Sequence, residues 1–103
     1  MSRWRLPTLH ELFNIFDHEQ GKSKIKGFNS DFYWSSTMYI NDMDNIWGVN
    51  FNSGSVRYCY QSNPNYVRCV RTKKNGKLEW SPPSEREVTF KDARKYCERM
   101  NNE

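Results

Sequence analysis

No stretch of this sequence approaches the ~20 consecutive apolar residues that a membrane-spanning helix needs, and its start lacks the basic-then-apolar pattern of a secretion signal. A soluble chain is expected; if the protein is exported, its signal lies outside these residues. Catalytic side chains are scarce. The two histidines, His10 and His18, stand eight residues apart, which places them only loosely on one helix face and two turns from each other. Ser35, Ser36 and Thr37 have no glycine-rich elbow around them, so their hydroxyls are expected to satisfy backbone groups. The three cysteines, Cys59, Cys69 and Cys97, include no C-x-x-C pair, which excludes the usual zinc and redox spacings. In an oxidising compartment they amount to one disulfide and one spare thiol; in a reducing one, to three small hydrophobes. No catalytic residue, metal site or cofactor is expected.

Against these absences stands a wealth of rings. Aromatics supply 16% of the 103 residues while the mean hydropathy is only -1.01, so the core must be built from rings that also carry polar handles. A chain of this length buries roughly 60 to 70% of its unfolded surface, enough for one domain spanning residues 1–103. The formal charge of +4 favours anionic partners without choosing among nucleic acid, sulfated glycan and acidic membrane surface.

Periodicity places two helices and several strands. Thr8 with Glu11 forms a capping box ahead of the apolar stripe Leu9, Leu12, Ile15 and Phe16, a helix expected to end between Asp17 and Gln20. The basic segment from Gly21 to Asp31 reads as a loop with at most a short strand. Residues 32–40 read as a strand; residues 46–51 and 56–60 read as a hairpin with Trp47, Val49 and Phe51 facing the core. Tyr66 to Lys74 is a further strand. Asn75-Gly76 predicts a two-residue turn that pairs Lys74 with Lys77 and Arg71 with Trp80, setting Val67 and Cys69 beside Leu78 and Trp80. Pro82 and Pro83 stop that strand, and Thr89 with Asp92 opens a last helix carrying Phe90, Ala93, Cys97 and Met100.

Four ordered strings carry a family resemblance: Trp4-Arg5-Leu6-Pro7-Thr8 followed by Glu11-Leu12; Tyr33-Trp34-Ser35-Ser36-Thr37; Trp47 with Phe51 and Gly54; and Tyr66-Val67-Arg68-Cys69-Val70-Arg71. Together they resemble the C-terminal domain family of the Legionella collagen-like adhesin, and the resemblance covers essentially the whole chain. Members of that family usually open with a strand ending Leu-x-Trp and a helix containing Ala-x-x-Tyr-Cys, ahead of the Trp-Arg-Leu-Pro string. Here Leu78-Glu79-Trp80 and Ala93-Arg94-Lys95-Tyr96-Cys97 stand after it. Residues 1–74 thus resemble the family's later part and 77–103 its opening, and joining Asn102-Glu103 to Ser2-Arg3-Trp4 restores the order. A circular permutant and a fragment cut across tandem copies both account for this.

The resemblance implies an α+β, C-type-lectin-like fold, two helices on a small, mostly antiparallel sheet with hairpins, in permuted order. It implies a Cys69–Cys97 disulfide, closing a loop of roughly 30 residues that contributes a few kcal/mol, and leaves Cys59 unpaired. It also implies a non-catalytic adhesion module, extracellular or at the cell surface, that binds an acidic or sulfated glycan and forms homo-oligomers in the resembled adhesin. The candidate ligand-binding residues are Arg57, Tyr58 and Tyr60 on one strand and Arg68, Arg71, Lys73 and Lys74 on another. Guanidinium groups grip sulfate or carboxylate, and tyrosine faces stack on sugars. The same residues also suit an ordinary solvated face, with Arg71 stacked on Trp80. A protein-recognition module, such as a phage or cell-surface receptor-binding domain, is the alternative. No nucleic-acid signature is present, although such rings and cations also suit single strands. The loop Asn41-Asp42-Met43-Asp44-Asn45 has oxygen ligands at calcium-like spacing, but Asp and Asn are ordinary turn formers and the loop is expected to be structural.

Overall fold

The computed structural model describes residues 2–102, so the expected join through Glu103 lies outside the described residues. The Trp-Arg-Leu-Pro-Thr string is a joint between a strand and a helix. Arg5 exchanges backbone hydrogen bonds with Val70, its N–H donating to Val70 O at 2.9 Å and its carbonyl accepting from Val70 N at 2.8 Å. Leu6 and Pro7 are buried. Thr8 caps α1 (Leu9–Ile15), and its capping box with Glu11 is complete, as the spacing predicts. Glu11 does more than cap: it accepts from Thr8 N at 2.8 Å and holds the Arg5 guanidinium in a two-pronged pair at 2.8 and 2.9 Å. That pair holds the Glu11 carboxyl below its ordinary pKa.

Helix α1 stops at Ile15, earlier than expected, because Phe16 turns extended and starts a small hairpin of β1 (Phe16–Asp17) and β2 (Lys22–Ser23). Asp17 fixes that turn by accepting from Glu19 N and Gln20 N, each at 3.0 Å.

The central antiparallel sheet runs β3 (Phe32–Met38), β4 (Asn45–Asn50) and β5 (Val56–Tyr60), in that order. The Ser35-Ser36-Thr37 string is where β3 slips against β4, between the pairs Trp34–Gly48 and Met38–Ile46. Its polar groups are spent on backbone, as expected of them: Ser35 Oγ donates to Trp47 O at 2.6 Å, Ser36 N to Pro7 O at 2.8 Å, and Leu9 N to Thr37 Oγ1 at 3.0 Å. The bulge thereby ties the sheet to the start of α1.

Both faces of this sheet are covered. On one, Trp34 and Ile46 pack with Leu6, Val67, Cys69 and the inner side of α2 (Phe90–Met100). On the other, Tyr33, Val49 and Phe51 pack with Leu12 of α1 and Phe16. The buried Trp34 indole donates to Val88 O at 2.7 Å, so its polar edge is satisfied inside the first core. The molecule is therefore α+β, with a helix on each face of the sheet.

A second antiparallel pair, β6 (Val70–Thr72) and β7 (Leu78–Trp80), corrects the expected register. A two-residue type I′ turn needs positive φ at both Asn75 and Gly76, yet only Gly76 adopts it, at 83°. Asn75 instead accepts from Lys77 N through its side chain at 3.0 Å. Lys74-Asn75-Gly76 becomes a three-residue loop, closed by Lys73 N to Lys77 O at 2.8 Å and Gly76 N to Lys73 O at 2.9 Å. Arg71 consequently pairs with Glu79 and Val70 with Trp80, and Trp80 faces the second core while Cys69 lies in the first. The expected long strand from Tyr66 to Lys74 is also shorter, because residues 65–69 pair piecemeal with Phe32, Ser81, Ser84 and Val88.

Helix α2 begins at the expected cap, Thr89, and presents Phe90, Ala93 and Cys97 inward. Cys97 is disulfide-bonded to Cys69, with Cα atoms 5.6 Å apart, and Cys59 is free, the pairing the resemblance implied. Past the helix the two ends of the described chain meet: Asn101 accepts from Trp4 N at 2.7 Å and donates to Trp4 O at 3.0 Å. No helix among the described residues is long and apolar enough to cross a membrane.

Gly54 and Gly76 share a positive φ but not an environment. A Cβ at Gly54 would lie 2.7 Å from the buried Phe16 ring, whereas one at Gly76 meets nothing within 4 Å. Gly76→Ala is expected to cost about 1–2 kcal/mol from backbone strain alone. Gly54→Ala adds overpacking and is expected to cost about 1–3 kcal/mol more. Urea unfolding of the two variants measures the difference.

Candidate functional site

Strand β5 is the open edge of the central sheet, and it carries three of the candidate residues. Tyr58 lies directly opposite Trp47, which sends both side chains to the same face. Tyr39, just past the end of β3, completes the group: its ring stacks on Tyr58 at 4.3 Å with an interplanar angle of 3°, and both tyrosines meet Trp47 edge-on at 5.5 Å. Tyr58 is 51% exposed and Tyr60 48%. Trp47 is therefore not the core ring its alternation with Val49 and Phe51 suggests. It sits on that face but only half-buried, where stacking with Tyr39 and Tyr58 substitutes for core packing.

Arg57 projects to the opposite face, as its neighbour on a strand must. It is exposed, lies 6.0 Å from the Phe32 ring centroid, and makes no ion pair with any described residue. Cys59, two residues on, leans on the first core, and burial pushes its thiol above the ordinary range.

The remaining cations divide. Lys73 and Lys74 are exposed at the tip of the β6–β7 hairpin, free of ion pairs among the described residues. Arg71 is committed: its Nε lies 2.9 Å from Glu79 Oε1, and its guanidinium sits 4.3 Å over the Trp4 ring, not over Trp80 as its expected pairing implied. Arg68 is turned inward, only 7% exposed, with Nε donating to Ser81 O at 2.6 Å and Nη1 to Lys26 O at 2.8 Å. It lies 4.6 Å over Phe28, and burial lowers its pKa. Arg68 holds the basic 21–31 loop to the body of the protein. The candidates on β5 and those on the β6–β7 hairpin belong to separate sheets.

The 41–45 loop and the two histidines are placed as follows. Asp42 accepts from Asp44 N at 3.1 Å and from Asn45 Nδ2 at 3.2 Å, so the 41–45 loop spends one carboxylate on its own turn. Among the described residues no group of three His, Cys, Asp or Glu side chains is placed to hold a metal ion. His10 bonds Asn14 on α1, whereas His18 stacks against Phe13 at 4.3 Å in the β1–β2 turn. Residues missed in the sequence are Tyr39 and Trp47, whose partner Tyr58 becomes apparent only from strand register, and Lys91, Arg94 and Lys95 on the outer side of α2. Their helical spacing beside Phe90 was the available signal.

A small disulfide-bridged α+β domain with an aromatic sheet edge is the class these features define. The chain belongs to the family described as the Lcl C-terminal domain, which it matches over residues 1–71. No curated protein and no solved structure matches it.

Arg68 and Arg57 separate structural from surface cations. Arg68→Ala removes two charge-assisted hydrogen bonds from a buried site and is expected to lose about 3 kcal/mol or more. Arg57→Ala is expected to stay within about 0.5 kcal/mol. Chemical unfolding of both variants checks the contrast.

Proposed function

We propose that this domain is a non-catalytic recognition module, extracellular or at the cell surface, that binds an acidic or sulfated glycan. The observation that carries the reading is that the open β5 edge presents the half-exposed Tyr39–Tyr58–Trp47 cluster on one face and Arg57, free of ion pairs among the described residues, on the other, so that a chain-like ligand lying along the edge meets both. Tyrosine faces already fixed by stacking lose little entropy when a sugar ring covers them. A guanidinium with no carboxylate partner is free to grip a sulfate in two-pronged fashion. Lys73 and Lys74 add positive field from the hairpin tip. Membership of the adhesin domain family supports the same direction.

We read the architecture as C-type-lectin-like with the family's opening strand and helix placed last. Four observations support this: the family match ends at Arg71, β7 pairs antiparallel with β6, Cys97 bonds Cys69, and Asn101 joins the backbone of Trp4. In this reading the hairpin loop at Lys74-Asn75-Gly76 bridges what are elsewhere the first and last strands.

Binding to immobilised heparin is expected at low salt and lost by about 0.5 M NaCl, where screening shortens the reach of exposed charges to a few ångströms. Reversing Arg57, Lys73 and Lys74 to Glu is expected to weaken low-salt binding about tenfold or more, equivalent to 1.4 kcal/mol. Tyr58→Ala is expected to weaken it as well. Failure to bind heparin at low salt, or retention indifferent to salt, overturns the glycan reading.

A further inference from the structure

The outer side of α2 borders two adjoining cavities of about 380 and 430 Å³ that share Met38, Phe90, Arg94 and Glu98 in their walls. Together they form a groove between the helix and the region from the end of β3 to the 41–45 turn. Its lining is apolar where it is deep. Phe90 and Ile46 come up from the core, and the methionines Met38 and Met43 flank them, 43% and 64% exposed. Ile40, in the intervening turn, is 88% exposed. The six residues from the end of β3 to Met43 thus leave three large apolar side chains in water.

The rim is cationic. Lys91, Arg94 and Lys95 stand along the groove against a single carboxylate, Glu98, and none of the four makes an ion pair with any described residue. Arg5, which lines the inner end, is already neutralised by Glu11.

We propose that this groove docks an acidic peptide segment of a partner protein, with Leu, Ile, Met or Phe anchors set among Asp and Glu. Charge complementarity selects the acidic sequence. The apolar floor selects a peptide over a sulfated glycan, because Met38, Met43, Ile46 and Phe90 offer no partners to sugar hydroxyls, while flexible methionine side chains repack around varied apolar anchors. A second copy of this chain is disfavoured as the occupant, since two copies of net charge +4 repel. The groove and the β5 edge draw on different residues, so this inference does not rest on the glycan reading.

The test is selection of a random-peptide library on the oxidised protein, followed by affinity measurement on synthetic versions of the enriched peptides. Enriched sequences are expected to alternate acidic and apolar residues, and Arg94→Glu and Met38→Arg are each expected to weaken them about tenfold or more. Both positions are exposed, so both variants are expected to keep the parent's melting temperature and its heparin retention. The Lys73→Glu, Lys74→Glu double variant is expected to bind the peptides like the parent. The inference is overturned if no peptide is enriched, if the enriched peptides bind Arg94→Glu and Met38→Arg as tightly as the parent, or if heparin displaces them. It is equally overturned if light scattering finds a dimer that these two substitutions dissociate, since the occupant is then a second copy.

Discussion

The Cys69–Cys97 bond is the constraint on which the rest of the molecule leans. An eleven-residue helix is marginal in water without tertiary packing, and α2 turns only Phe90, Ala93 and Cys97 fully inward. One of those three is the disulfide itself. It fixes the middle of the helix against the segment joining the two sheets, while Phe90 N to Gln61 O at 2.9 Å holds one end and the Asn101–Trp4 pair holds the other. With α2 in place the first core closes over Trp34 and Ile46, and the apolar floor of the outer groove exists. Without it, one face of the central sheet would stand in water.

Much of this was legible from local chemistry. Both helix starts follow from Thr side chains three residues ahead of acidic ones, and the hairpin of β4 and β5 follows from alternation around Asn52-Ser53-Gly54-Ser55. The cysteine pairing followed from the family's order. What local chemistry could not reach was anything decided by a second neighbour. The alternation of Trp47, Val49 and Phe51 is real, but the core beneath that face ends before Trp47, so the ring finds Tyr39 and Tyr58 instead. Arg68 alternates with Val67 and Cys69 and so reads as a surface residue. Yet the loop carrying Lys26 and Phe28 covers that side too, making a two-sided interior. At Asn75-Gly76 the pair of residues was right for a turn, but the Asn75 side chain competed with the positive φ that the shorter turn demands.

These placements sort the basic residues by use. Arg5, Arg68 and Arg71 are architectural: they pair with Glu11, with backbone carbonyls and with Glu79. Arg57, Lys73, Lys74, Lys91, Arg94 and Lys95 face solvent without ion pairs among the described residues. Three arginines are thus withdrawn from recognition, and the six solvent-facing residues named lie on β5, at the tip of the β6–β7 hairpin and along the outer side of α2. The Tyr39–Tyr58–Trp47 cluster lies on the α1 side of the central sheet and the groove on its α2 side. A frame that holds both leaves its surface residues open to change, because none of them carries the core.

Residues beyond the family match, and above all α2, are integral to the fold through the bond from Cys97 to Cys69. Chemical unfolding of the oxidised protein beside the Cys69→Ala, Cys97→Ala double variant measures that dependence. Closing a loop across 28 residues is expected to make the oxidised protein about 3 kcal/mol more stable, with a single unfolding transition that includes α2. Equal midpoints for the two proteins, or an oxidised protein in which α2 melts separately from the sheet, would mean that the bond does not hold the helix into the fold.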